Sequence, residues 1–175
     1  MKDKFLKNLV LFLVGFCSYI TIETLFRGYS YWQMGICGGL AIVILDKIND
    51  TISWDIDITI QGLLGSLLIT LMELSIGLAW DYLPIPHMWD YSNLPLNYHG
   101  IICVPFMFVW FFLSWVAILL ADCINYYVFE EMPVPYYKLF GKTILRFKKK
   151  VCKLNTQEQT AGRYTGVVYF NIQCE

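Results

Sequence analysis

Charge is what this 175-residue chain has least of. Only 15% of its residues are Asp, Glu, Lys or Arg, against 57% hydrophobic. A soluble domain usually carries about 25% charged residues. Histidine is almost missing too, with two in the whole chain. No CxxC, HExxH or GxxxxGK occurs, and no Ser-His-Asp order is present. Motif-borne zinc, nucleotide and hydrolase chemistries therefore have no support. The six cysteines form no spaced framework, so buried reduced thiols are expected and disulfides are not. Neither a cofactor nor a metal site is expected, and no basic, aromatic-interleaved face invites nucleic acid.

What the chain has instead is long apolar blocks. They run over about 5–27, 29–46, 56–80 and 101–129. A bilayer core needs roughly 20 helical residues at 1.5 Å each. The first, third and fourth blocks meet that easily. The second has an uncharged stretch of about 15 residues, or some 22 Å, which fits a thin span or a re-entrant segment. The expected fold is all-α: a polytopic membrane bundle of four transmembrane helices with a short second one. This domain covers 1–137, and 138–175 forms a basic tail.

Basic residues set the expected orientation. Lys2, Lys4 and Lys7 precede the first block, and the tail from Lys138 carries a net +6 against −7 for the rest. Lys and Arg near helix ends stay cytoplasmic. Both termini are then inside a cell membrane crossed an even number of times. The run RFKKK (146–150) fits anionic lipid or a plain topology signal. GRYTGVVYF (162–170) has weak strand character.

The connection between the last two blocks then faces outward. It contains WDYSNLPLNYHG, from Trp89 to Gly100. Trp89 and Tyr91 suit the headgroup level, and Pro84, Pro86 and Pro95 stiffen the chain. Two readings stand: an interfacial aromatic belt, or a folded lid formed by Trp89, Tyr91, Asn93 and Asn97.

Acids within membrane segments are costly and need a reason. Helix rise places Glu23 and Glu73 at similar height, about 25 Å up from the inner surface. Arg27 follows Glu23 by one turn and can pair with it. Asp90 and His99 descend from the loop. Glu23, Arg27, Glu73, Asp90 and His99 are therefore expected to meet in one outer polar cluster. That cluster could hold a headgroup, a cation or a small solute, or merely fix packing. Asp122, far down the fourth block, is expected to cap the span or meet a tail lysine. Small residues, above all Gly35 and Gly39 with Gly38, allow close helix approach and raise self-association as an option.

The run WDYSNLPLNYHGIICVPFMFVWFFLS, with WDYSN at 89–93 as its most specific part, resembles the bacterial ABC-transporter type IV permease family of CmpB-like integral membrane proteins. The resemblance covers most of residues 8–137. Asn97, Gly100, Cys103 and Trp110 continue it, and Glu23 and Glu73 match acidic positions. It implies a membrane subunit that works with a separate ATPase and is not an enzyme by itself. Two other classes remain open. One is a small intramembrane enzyme on a lipid or lipid-linked substrate, with Glu73, Asp90 and His99 moving protons. The other is a structural or accessory membrane protein. Membrane lipid, an ATPase subunit and a second copy are the expected partners.

Overall fold

The computed structural model describes residues 2–53, 55–82, 87–131, 133–148, 152–155 and 171–174. Four helices carry the fold: α1 (Lys2–Arg27), α2 (Trp32–Thr51), α3 (Ile58–Ala79) and α4 (Val104–Tyr127). Among the described residues, strands form three small antiparallel pairs, β1–β2 (Asn97–Tyr98, Ile102–Cys103), β3–β4 (Tyr136–Leu139, Lys142–Arg146) and β5–β6 (Cys152–Asn155, Asn171–Cys174). In the last pair, Cys152 lies opposite Cys174. The stretches 83–86 and 162–170, including Pro84 and Pro86, lie outside the described residues.

Among the described residues, three helices are long and apolar enough to cross a bilayer: Lys4–Arg27, Ile58–Ala79 and Val104–Tyr127. The protein is a helical membrane protein. α2 is not among them, and its sequence carries Asp46 and Lys47 near its end. It is nevertheless one unbroken helix of 20 residues, about 30 Å long.

Contacts fix the height that α2 covers. At one end of the bundle, Lys7 near the start of α1 pairs with Asp46 near the end of α2. Asn125 near the end of α4 donates to the same Asp46. Leu45, Ile58 and Tyr137 share a core cluster there, which adds the start of α3 and the β3–β4 hairpin. At the other end, Met34 of α2 packs with Trp80, Met88, Trp89 and Tyr91. The helices thus run up, down, up, down, and α2 spans the same height as its neighbours. The first of these is the hairpin end of the bundle and the second its loop end.

Helix boundaries follow local chemistry. Asp57 caps α3, accepting from the Thr59 amide at 3.0 Å and the Thr59 hydroxyl at 2.7 Å. Pro105 sits in the first turn of α4, where its missing N–H costs nothing. α1 ends at Gly28, whose φ of +84° suits a residue without Cβ.

The glycines of α2 pack against α1. A Cβ at Gly39 would meet the Phe12 ring at 2.6 Å and one at Gly35 the Phe16 ring at 2.6 Å, while one at Gly38 would press still closer on the Tyr19 Cβ. The GxxxG face is therefore consumed inside the chain and is covered by α1. Gly38→Ala is expected to cost about 1–3 kcal/mol through overpacking. Thermal unfolding in detergent would read this, and an unchanged midpoint would contradict the tight α1–α2 contact.

The β3–β4 hairpin belongs to the packed body. Tyr137 is 1% exposed, and its hydroxyl donates to Asp122 of α4. Burial, then the Asp122 charge, pushes the Tyr137 hydroxyl well above its ordinary pKa. Asp122 thus meets a tyrosine here, and residue 137 lies within strand β3.

Candidate functional site

The loop from Trp89 to Gly100 is folded by its own polar side chains. The Trp89 indole N–H donates to the Ile101 carbonyl at 2.8 Å. Asp90 accepts from the Ser92 amide at 2.8 Å and the Ser92 hydroxyl at 2.5 Å, an Asx turn. Those bonds hold the exposed Asp90 carboxyl below its ordinary pKa. Asn97 donates to the Leu94 carbonyl at 2.7 Å and accepts from the Gly100 amide at 3.1 Å. The Tyr91 amide donates to the Gly100 carbonyl at 2.8 Å, closing the ends. Gly100 has φ +68°, and a Cβ there would lie 2.5 Å from the Ser92 hydroxyl. Asn93 is exposed on the turn. The loop is a compact cap closed by its own hydrogen bonds.

Tyr91 anchors the cap to the bundle. Its hydroxyl donates to Glu73 Oε1 at 2.9 Å, and the Trp110 indole of α4 donates to Glu73 Oε2 at 2.9 Å. Glu73 is 6% exposed and Tyr91 7%. Both carboxylate oxygens therefore have a donor, which a buried acid needs. Burial, then the neighbouring Glu73, raises the Tyr91 hydroxyl far above its ordinary pKa. Glu73 ties α3, α4 and the cap together.

The five residues expected to converge divide into two groups. Glu23 and Arg27 form an ion pair at 3.0 Å. Arg27 also donates to the Met88 carbonyl at 2.7 Å, and the Ser30 hydroxyl donates to Glu23 at 2.5 Å. The guanidinium lies 4.7 Å from the Tyr29 ring centre. Arg27, Asp90 and His99 all line an open crevice of about 780 Å³ at the loop end, together with Trp80, His87 and Trp89. Glu73 does not line it. It sits below the cap, at one end of a separate cavity of about 120 Å³ bordered by all four helices. Trp89 borders both spaces. Asp90 and His99 are exposed, so nothing brings them onto Glu73.

A second polar cluster at the hairpin end escapes sequence reading. Lys7 is 7% exposed and lies 3.3 Å from Asp46 and 3.1 Å from Glu131. Asp46 is 2% exposed and accepts from Asn125. Beside it, Lys138 pairs with Asp55 at 2.5 Å, joining the hairpin to the α2–α3 turn. Lys7 reads as a topology signal in sequence, and its role as an internal partner depends on two residues far along the chain. Among the described residues, no group of three or more His, Cys, Asp and Glu is arranged to hold a metal.

A family model described as "Putative ABC-transporter type IV" matches residues 4–147, and the chain belongs to that family. The match includes all four helices and the β3–β4 hairpin through Arg146. No curated protein and no solved structure matches the chain.

Proposed function

We propose that this member of the family is the membrane subunit of a transporter and works with a separate ATPase in a bacterial cell membrane. The observation that carries the reading is the family match across residues 4–147. The sequence supports the division of labour, since it has no GxxxxGK loop to bind a nucleotide. Lys4 and Lys7 at the start of α1 and Lys138, Lys142 and Arg146 of the hairpin share one end of the bundle, and the positive-inside rule makes that end cytoplasmic. The hairpin, rigidly seated through Tyr137, is then the surface offered to the ATPase. All four helices would cross, because α2 covers the height of α1 and α3.

On the outer side, Arg27, Asp90 and His99 are the proposed solute-facing residues of the crevice, and Glu23 positions Arg27. Trp89, Tyr91, Asn97 and Glu73 hold the cap that forms its wall. Proton transfer between Glu73 and Asp90 or His99 gains no support from this geometry. The test is purification of the tagged chain from native membranes in mild detergent, after in-cell crosslinking. A stoichiometric ATPase crosslinked through 136–146 is the expected result. A stable homo-oligomer with no ATPase in either preparation would overturn the reading.

A further inference from the structure

The cavity below the cap has a different character from the crevice above it. It lies between the α1–α2 hairpin and the α3–α4 hairpin, with walls from all four helices. The walls are apolar and partly small, with Gly15, Gly38, Ala41 and Ala117 in the lining and Ile69 and Met72 bordering it from α3. Its one carboxylate, Glu73, has both oxygens bonded and turned to Tyr91 and Trp110. Trp89 borders it toward the loop end.

Its mouth faces sideways. Ile22 of α1 and Val116 of α4 border the cavity and are 44% and 59% exposed on the outside of the bundle. Ile22 lies 5 residues before the end of α1 and Val116 lies 12 residues into α4. Those offsets correspond to about 8 and 18 Å below the loop end of each helix. The mouth thus runs through the loop-end half of segments that match a hydrocarbon core of about 30 Å. What lies outside at that depth is acyl chain, not water. The lining on α4 runs from Trp110 to Leu120, about 15 Å, so the space is a slot along the helices. An apolar cavity of roughly 150 Å³ admits a benzene-sized guest. At about 120 Å³, this one has room for the end of a hydrocarbon chain and no room for a headgroup.

We infer that the slot between the two helical hairpins is a binding site for the acyl chain of a membrane lipid, entered laterally between Ile22 and Val116. The inference rests on the bundle spanning the bilayer and stands whether or not an ATPase partner exists. Loss of water is not the driving force at this depth. Dispersion contacts with close-packed walls are, because an empty slot forfeits them.

The experiment uses the full chain in nanodiscs made with a phosphatidylcholine that carries a diazirine near the end of one acyl chain. Photolabelled residues are located by mass spectrometry. The expected result is labelling of Cys37 and Ala41 on the inner wall, beside the labelling of Leu63 that any lipid-facing residue receives. Ala117→Phe fills the slot and should cut the inner-wall labelling at least five-fold with Leu63 unchanged. Ile69→Phe, on the α3 wall of the slot, should act in the same direction and serves if Ala117→Phe does not fold. Unlabelled Cys37 and Ala41 in the native chain would overturn the inference. Undiminished inner-wall labelling in whichever of the two variants folds would do the same.

Discussion

Glu73→Ala is expected to loosen the whole loop end of the protein. The substitution leaves the Tyr91 hydroxyl and the Trp110 indole without their acceptor, both in buried surroundings. An orphaned buried donor costs about 1–3 kcal/mol, so the pair gives a loss of about 2–6 kcal/mol. In a chain of this size that lowers the unfolding midpoint by roughly 5–25 °C. The backbone amides of 89–103 should lose exchange protection more than those of α1. A Glu73→Ala protein with native midpoint and native loop protection would remove Glu73 from its role as anchor.

The glutamine variant separates anchoring from acid–base chemistry. Trp110 can only donate, whereas the Tyr91 hydroxyl can donate or accept. A glutamine side chain in place of Glu73 can therefore turn its carbonyl to Trp110 and its amide to Tyr91, keeping both bonds. Glu73→Gln should cost less than about 1 kcal/mol and leave the proposed transport activity intact. A folded Glu73→Gln protein without transport would instead require a carboxylate that changes charge. Tyr91→Phe completes the cycle: it leaves Glu73 with one donor and should be as damaging as the alanine change, with strong coupling between the two positions.

These contacts show where sequence reading succeeds. Four helices follow from the length and apolarity of four blocks, since a bilayer-spanning chain has few other ways to satisfy its backbone. Glu73 stands out because an acid in an apolar block is expensive, and the loop residues 89–100 stand out because Trp, Tyr, Asp, Asn and Pro cluster there between two apolar blocks. Height along a helix is also legible, because a fixed rise per residue carries Glu23 and Glu73 toward the loop end of α1 and α3. Azimuth is not. Helix rise says nothing about which way Glu73 points around α3, and here it faces α4 and Tyr91, not Arg27. The direction of the glycine face is hidden for the same reason: Gly35 and Gly39 suit any close helix, and only the fold reveals that α1 takes them. The hairpin eluded the pattern because β3 and β4 are four and five residues long and lie at the start of a stretch that reads as a basic tail.

The hairpin end carries the second large effect. Lys7→Met should destabilise the protein by about 3–5 kcal/mol, because it strands the Asp46 carboxylate at 2% exposure with Asn125 as its neutral partner. Asp46→Leu should cost less, since Glu131 remains 3.1 Å from the ammonium. The informative protein is the double variant Lys7→Met/Asp46→Leu. It removes both charges and replaces them with apolar side chains of similar bulk, and a buried ion pair is often no more stabilising than such a pair. It should recover most of the stability lost in Lys7→Met, although Asn125 then loses its acceptor. Recovery would mean that the pair contributes specificity more than stability: it fixes which turn of α1 lies against which turn of α2, where repeated small residues alone would tolerate a slip. Crosslinking between cysteines placed at Leu11 and Ile42, both buried in one cluster, reads that register directly. If the double variant is as unstable as Lys7→Met, or crosslinks as efficiently as the native pair, the ion pair does not set the register.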